Sequence, residues 1–184
     1  FHNLCENIDK VKLFINYDSM ASLDRDKEIS DAKENLVEKR LPKGFYALSK
    51  NIISKLGEST YNNFLNLRIF SCFSENEPDN RMIKASILNY INCKPIIIHQ
   101  DRYMDFVYAQ DILRVSKYFI KNEELPRYKS YNMCYEQKYS LLDIAKIINT
   151  LSENKSEIKI LKEGYSSPLT GSGAAMKNLK IKQK

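Results

Sequence analysis

The sequence predicts an α/β fold built on a largely parallel sheet. Short apolar runs rich in β-branched and aromatic residues alternate with amphipathic segments of helical period along most of the 184 residues. This alternation is typical of parallel strands joined by crossover helices. The composition, 43% hydrophobic and 28% charged, is that of a globular protein. The length suits one sizeable domain or two small ones.

The first part of the chain carries two predicted strands with a helix between them. Residues 11–17, VKLFINY, form a short apolar run and are predicted to be a strand. Residues 18–43 are polar, and we predict a loop with at most a short helical piece. The amphipathic segment 44–57 is predicted to be a helix, and NLRIFSCF at 66–73 a second, buried strand.

The rest of the chain continues the same alternation. The predicted elements are, in order, a helix at 81–92, strands at 95–100 and 104–108, a helix at 109–120, a strand at 130–135, a helix at 141–152, a strand at 157–161 and a loop at 164–173. Asn80 is the predicted cap of the first of these helices. Ser140 is the predicted cap of the last, with Asp143 at the capping-box position. Asp105 and Asp111 are predicted to hold structure, since Asp111 lies near a helix start.

Composition argues against several classes of protein. The net charge of +6 invites a nucleic-acid interpretation, but the lysines are mixed with acidic residues, as in LSENKSEIK, rather than clustered. No apolar run is long enough to span a bilayer, and no signal peptide is apparent. We therefore expect a cytoplasmic protein with neither nucleic acid nor membrane as partner. A basic nucleic-acid binder is kept as the weakest alternative.

Cysteine and histidine usage indicates neither disulfides nor a metal site. The four cysteines have no C-x-x-C spacing and no histidine close by in sequence. Free thiols in a reducing compartment are the simplest interpretation. We expect no metal, and no catalytic role for His2 or His99.

Tyr46 and Lys50 stand one helical turn apart, near the start of the predicted helix 44–57. The spacing alone is weak evidence, because Tyr90 and Lys94 repeat it in NYINCKP. Ser19, however, lies 27 residues before Tyr46 and just past the end of the predicted strand 11–17. Ligands bind beyond the carboxyl ends of parallel strands, so a serine there could meet the tyrosine across a cleft.

Several stretches in the same order identify a family. The chain resembles the C-terminal part of an extended short-chain dehydrogenase/reductase of the NAD-dependent sugar-nucleotide epimerase/dehydratase type. The stretches that carry the resemblance are KLFINYDSMAS (12–22), GFYALSK (44–50), NLRIFSCFSENEPDNRMI (66–83), PIIIHQDRYMDFVYAQDI (95–112) and YNMCYEQKYSLLDIAKII (131–148). The resemblance implies the C-terminal half of a Rossmann-type parallel sheet with a small α/β substrate-binding part.

The resemblance also implies catalytic roles. Tyr46 becomes the general acid/base of hydride transfer at a sugar carbon, and Lys50 its electrostatic partner and the anchor of the cofactor ribose. Ser19 orients the reacting oxygen. The physics is simple: a tyrosine with an ordinary pKa near 10 is a poor base at neutral pH, and an ammonium close by favours its phenolate.

Cofactor and substrate contacts follow from the same resemblance. The cofactor is NAD or NADP, held by Tyr46, Lys50 and Ser71, and the substrate is a nucleotide sugar. Many relatives place an arginine directly before Asp-Phe to pair with the substrate diphosphate, but this chain has Met104 there. Arg81 or Arg102 is the expected substitute. A homodimer of the full-length protein, formed through the helix at 44–57, is also implied.

The sequence departs from the family pattern at its start and around the predicted serine. It opens without Met, and its 184 residues contain no G-x-x-G-x-x-G turn for the pyrophosphate. We therefore expect a fragment that by itself binds NAD(P) weakly or not at all. Asp18 beside Ser19 would put a negative charge near the reaction, and Ser71 stands where relatives often have asparagine.

Subclass and organisation remain partly open. The strand end DSMAS lacks the Thr-Asp-Glu of 4,6-dehydratases, and Ala21 replaces the cysteine of the fucose-synthase type. A 4-epimerase and a 4-keto-sugar reductase both remain, as does a non-catalytic remnant or interaction protein of the same fold. Residues 1–74 are expected to be the second half of the NAD(P)-binding domain. Residues 75–184 are expected to bind substrate, with strands and helices that return to the Rossmann sheet.

Overall fold

Parallel strands alternate with helices throughout the computed structural model, which describes residues 1–23, 28–35, 41–122 and 124–181. The helices are α1 (His2–Cys5), α2 (Phe45–Thr60), α3 (Met82–Ile91), α4 (Ala109–Lys121), α5 (Leu141–Ile148) and α6 (Ala174–Asn178). The strands are β1 (Phe14–Ser19), β2 (Ile29–Ala32), β3 (Phe64–Ile69), β4 (Cys72–Phe73), β5 (Ile96–Asp101), β6 (Val107–Tyr108), β7 (Ser130–Met133), β8 (Ile158–Tyr165) and β9 (Leu169–Gly171). The predicted α/β class is confirmed.

A three-stranded parallel sheet in the order β1-β3-β7 forms the centre of the fold. β1 and β3 run in register from Phe14 opposite Phe64 to Ser19 opposite Ile69. β7 lies on the other side of β3 and is also parallel to it. The carboxyl ends of the three strands therefore lie at one edge of the sheet, where ligands of such sheets bind.

Helix α2 approaches β3 closely, and this contact fixes its distance from the sheet. A Cβ atom placed on Gly57 would lie 2.3 Å from the ring of Phe64, so only glycine fits there without displacing the ring. Phe64 is itself buried and stacks on Phe14 of β1. The other end of α2, with Tyr46 and Lys50, is thereby held near the carboxyl end of β1.

The segments 18–43 and 164–173 were predicted to be loops, and this was wrong, because each contains a strand that pairs with the other. β2 lies within residues 18–43, and β9 lies within 164–173; the two are parallel neighbours. The Asp31 amide also donates to the Thr170 hydroxyl, 139 residues away in sequence. A strand whose partner is so remote has little local signature. The expected short helical piece is the 3-10 turn Met20–Ser22.

Several predicted boundaries also moved. The first strand begins at Phe14 and extends to Ser19, because its ladder with β3 continues that far. The predicted strand 66–73 is divided into β3 and β4, and 104–108 contributes only the short β6.

The two helix caps had opposite outcomes. The Ser140 capping box is confirmed: the Ser140 hydroxyl accepts from the Asp143 amide at 3.1 Å, and the Asp143 carboxylate accepts from the Ser140 amide at 3.0 Å. The Asn80 cap is wrong, because Arg81 occupies the N-cap of α3 and makes no side-chain capping bond.

Candidate functional site

A cleft of about 510 Å³ lies at the carboxyl ends of β1 and β3. Its walls include four of the six predicted site residues, Ser19, Tyr46, Ser71 and Arg81, together with Cys72 and Met104. These residues are scattered over most of a hundred positions in sequence. Parallel pairing brings them together, because β1 and β3 end at the same edge and β4 continues from β3.

Helix α2 presents Tyr46 to this cleft from its first turn. Gly44 precedes the helix with φ of +89°, a left-handed conformation that glycine adopts without steric cost. The Tyr46 side chain is 61% exposed, so its phenol is accessible to a ligand in the cleft. Lys50 follows one turn later and donates from Nζ to the Tyr17 carbonyl at 2.7 Å. The ammonium thus lies beside β1, two residues before Ser19.

Ser19 is the last residue of β1, not a residue beyond it. Its Oγ accepts a hydrogen bond from the Ala21 amide at 3.2 Å and so caps the 3-10 turn that follows. Because the hydroxyl oxygen acts as acceptor in this contact, its proton can still be donated to another group.

The charge of Asp18, next to Ser19, is offset by an arginine. The Asp18 carboxylate is 2% exposed and lies 3.3 Å from Nε of Arg68 on β3. It also accepts from the Ser22 hydroxyl at 2.9 Å. The negative charge expected beside Ser19 therefore comes with a buried positive partner.

Ser71 and Arg81 lie together in the cleft, and Arg102 does not join them. The Arg81 guanidinium donates to the buried Ser71 hydroxyl at 3.2 Å, and its ion pair with Glu77 is long, at 3.9 Å. Arg102 instead donates to the Ser166 hydroxyl at 2.7 Å and is not among the residues that line the cleft. Of the two expected arginines, only Arg81 faces the cleft.

Cys72 is a cleft residue that sequence reasoning did not select. Burial, and to a lesser extent the charge of Glu77, raise the pKa of its thiol, while Arg81 opposes the shift. The only sequence signal was its position directly after Ser71 at a strand end. Tyr90, from the repeated Tyr-Lys spacing, contacts the Ser152 hydroxyl and the Asn154 carbonyl and lies outside the cleft lining.

The two aspartates expected to hold structure are both buried and bonded. Asp105 accepts from the Lys138 ammonium at 2.8 Å and from the Gly171 amide at 2.7 Å. Burial raises the pKa of Asp105, and Lys138 opposes that shift. Asp111 pairs with Arg114 and accepts from the Tyr135 hydroxyl.

The part of the chain that the structure describes contains no metal-binding cluster, no membrane-spanning helix and no disulfide bond. Within it, no group of three or more His, Cys, Asp or Glu residues is arranged to hold a metal ion. Among the same residues, no helix is both long and apolar enough to cross a membrane. All four cysteines are free thiols, and they range from exposed Cys93 to buried Cys134.

The fold and the cleft define an α/β protein with Ser19 and Tyr46 in a cleft at the carboxyl edge of a parallel sheet, and with Lys50 bonded to the neighbouring strand. The chain belongs to the NAD dependent epimerase/dehydratase family, which matches residues 2–134. The predicted family is thereby confirmed. No curated protein matches the sequence.

Solved structures of similar fold belong to sugar-nucleotide enzymes. UDP-glucuronic acid 4-epimerase from Bacillus cereus, in complex with UDP-glucuronic acid and NAD, has a TM-score of 0.74 and 20% identity, over 98% of this chain and 60% of that one. dTDP-glucose 4,6-dehydratase from Bacillus anthracis, in complex with NAD, has a TM-score of 0.77 and 14% identity, over 100% of this chain and 61% of that one. GDP-L-fucose synthetase from Naegleria fowleri, bound to NADP, has a TM-score of 0.78 and 15% identity, over 100% of this chain and 63% of that one.

At these identities the likeness establishes the fold alone, and the fold agrees with the predicted Rossmann-type architecture. The chain spans about 60% of the length of the solved structures that it matches. Activity, substrate and partners are therefore matters of proposal.

Proposed function

We propose that the protein is an NAD(P)-dependent nucleotide-sugar epimerase or 4-keto-sugar reductase. The observation that carries this proposal is the cleft, which gathers Ser19, Tyr46, Ser71 and Arg81 at the carboxyl ends of β1 and β3. Hydride transfer at a sugar carbon needs a proton acceptor or donor, an orienting group and a site for a dinucleotide. The residues of this cleft can supply the acid/base and the orienting group, and with Lys50 they can hold the nicotinamide end of the dinucleotide.

In this proposal Tyr46 is the general acid/base, and Ser19 orients the sugar oxygen by donating its hydroxyl proton. Lys50 stabilises the negative charge that develops on the Tyr46 oxygen during proton transfer. The fixed position of the Lys50 ammonium supports that role, since a charge held at one place loses no entropy when the substrate binds.

The residues at the cleft also fit a nicotinamide nucleotide. The Lys50 ammonium has three donors and, within the described part of the chain, uses one on the Tyr17 carbonyl, so that two can serve ribose hydroxyls. Ser71 and Tyr46 both line the same cleft. When bound, the nicotinamide ring would accept or donate the hydride.

Arg81 is the proposed partner of the substrate diphosphate. It is the arginine that lines the cleft, and its ion pair with Glu77 is long enough to be replaced by a stronger one. Arg102, bound to Ser166, is the weaker candidate. Met104 adds an apolar surface where many relatives have a cation, so Arg81 would have to supply the charge.

We also propose a division of the chain and a dimer surface. Residues 1–74 would complete the cofactor half of the cleft, and 75–184 the substrate half. Helix α2 exposes Phe45, Ile52 and Leu56, and an apolar helix face of this kind suits a second copy of the protein. Sedimentation of the complete gene product would test the dimer, with Ile52→Glu expected to give monomers.

The experiment that tests the function is an assay of the complete gene product. It should be incubated with UDP-, dTDP- and GDP-sugars and their 4-keto derivatives, together with NAD or NADPH. Inversion at carbon 4 in proton NMR spectra would identify an epimerase, and oxidation of NADPH a reductase. Binding of a nucleotide sugar without any turnover would instead support the non-catalytic alternative.

A further inference from the structure

Five buried polar residues next to the cleft connect the sheet to helix α2, and we call them the buried polar bridge. They are Asn132, Arg68, Asp18, Ser22 and Asn51, and each is at most 4% exposed. Asp18, Arg68 and Asn132 face each other at one register across β1, β3 and β7. Polar side chains in such a position are costly unless each is bonded.

Arg68 is the centre of the bridge. Its Nε lies 3.3 Å from the Asp18 carboxylate, and its Nη1 donates to the Asn132 amide oxygen at 3.2 Å. Asn132 in turn donates to the Ala32 carbonyl at 2.7 Å. The guanidinium is therefore bound on both sides, and the ends of three strands are joined through side chains as well as through the backbone ladder.

Ser22 continues the bridge from the sheet to α2. Its hydroxyl donates to the Asp18 carboxylate at 2.9 Å, while its backbone carbonyl accepts from the Asn51 amide group at 2.7 Å. Asn51 lies on α2 directly after Lys50. This part of the bridge thus runs from Asp18, one residue from Ser19, to Asn51, one residue from Lys50.

A buried ion pair is a poor means of gaining stability, because desolvation offsets much of the attraction between the charges. Its clearest use is to fix one arrangement, since any displacement leaves a charge without its partner. The ion pair fixes β1, which carries Ser19, against β3. The hydrogen bonds of Ser22 and Asn51 extend this connection to α2, which carries Tyr46.

We propose that the buried polar bridge positions Ser19 against Tyr46 and Lys50, so that Asp18, Ser22, Arg68, Asn51 and Asn132 act as positioning residues. This inference rests on the proposed function, because it concerns the same cleft. Asp18 is the one bridge residue that also lines the cleft, and Ser22, Arg68, Asn51 and Asn132 are not among its lining residues. Their effect passes through the backbone of β1 and through the placement of α2.

The sharpest variant is Ser22→Ala, which removes the hydrogen bond to Asp18 but keeps the Asp18–Arg68 pair. Ser22→Thr keeps a hydroxyl at this position and should therefore retain the kcat of the wild type. Ser54→Ala is the matched control: Ser54 is also buried and lies on α2, and its hydroxyl has no hydrogen-bond partner within the described part of the chain. Asn51→Leu cuts the bridge at its other end and replaces Ser22→Ala should that protein fail to fold.

Two measurements on the complete gene product decide the matter. In steady-state kinetics we expect Ser22→Ala to lower kcat about 10-fold or more with KM within about twofold, since small misplacements of reacting groups are costly in rate. Ser22→Thr and Ser54→Ala should stay within about threefold of wild type. In amide hydrogen exchange, which needs no substrate, residues 45–51 should exchange several-fold faster in Ser22→Ala, with β3 unchanged.

Other results would overturn the inference. Equal kcat values for Ser22→Ala and Ser54→Ala would do so, as would exchange that rises equally in α2 and β3, which indicates general destabilisation. A wild-type protein without turnover would instead refute the proposed function. The exchange measurement would then still decide whether the bridge holds α2 in place.

Discussion

The ammonium of Lys50 donates a hydrogen bond to the backbone carbonyl of Tyr17, 2.7 Å away. This contact joins the helix that carries Tyr46 to the strand that ends in Ser19. A lysine on a long flexible side chain is ordinarily free to adopt many rotamers. Here one rotamer is selected by a charge-assisted bond, so the positive charge has a defined place beside the cleft.

Replacing Lys50 should therefore damage both chemistry and cofactor binding. We expect Lys50→Met to lower kcat by about 10²-fold, because the phenolate of Tyr46 loses the nearby charge, and to weaken NAD(P) binding. Lys117→Met, at an exposed lysine on α4, is the control and should leave both unchanged. Steady-state kinetics and calorimetry on the complete gene product measure the two effects. A Lys50 variant with wild-type kcat would exclude the assigned role.

Arg81 and Arg102 offer a direct comparison, because only Arg81 lines the cleft. Arg81→Gln should raise KM for the nucleotide sugar at least about 10-fold, as expected for the loss of a hydrogen bond to a charged group. Arg102→Gln should leave KM within about twofold. The reverse order of effects in initial-rate measurements would move the diphosphate site to Arg102.

Gly57→Ala tests the close approach of α2 to β3. In an ordinary helix this change stabilises by up to about 1 kcal/mol. Here the new methyl group would meet the Phe64 ring at 2.3 Å, so we expect a loss of about 1–3 kcal/mol in the free energy of unfolding. Urea denaturation measures it, with Ser59→Ala at an exposed position of α2 as control. A stabilised Gly57→Ala protein would show that the helix lies farther from the sheet.

The thiols should differ in reactivity according to their burial. Burial, and secondarily the charge of Asp105, raise the pKa of Cys134, so little thiolate forms there at pH 8. Cys93 is exposed and should be alkylated first by iodoacetamide, Cys72 more slowly, and Cys134 only on unfolding. Peptide mass spectrometry gives the order. Rapid labelling of Cys134 in the folded protein would contradict its buried position.

The sequence predicted those features whose signals are local. The Ser140 capping box, the helix at 44–57 and the runs that became β1 and β3 each have a pattern within a few residues. Strands β2 and β9 had no such pattern, because each is stabilised mainly by the other and by burial. Helix α3 was predicted correctly, but its N-cap was not, because the cap is Arg81 and Asn80 lies one residue before it.

The sequence predicted which residues belong to the site better than it predicted how they are arranged. Motif order selected Ser19, Tyr46 and Lys50, and the cleft contains the first two, with Lys50 fixed one turn along α2. The choice between Arg81 and Arg102 depends on which side chain faces the cleft, and spacing carries no information on that. The pairing of Asp18 with Arg68 depends on the register of two strands 50 residues apart in sequence.

The central claim is that Tyr46 transfers the proton in a hydride-transfer reaction, and Tyr46→Phe tests it most directly. The change removes one hydroxyl from a largely exposed side chain, so the fold should persist. We predict that kcat of the complete gene product falls by about 10²–10⁴-fold, while the Kd for NAD(P) in the same preparation stays within about twofold. Turnover within about threefold of wild type would contradict the account and remove Tyr46 from the chemistry.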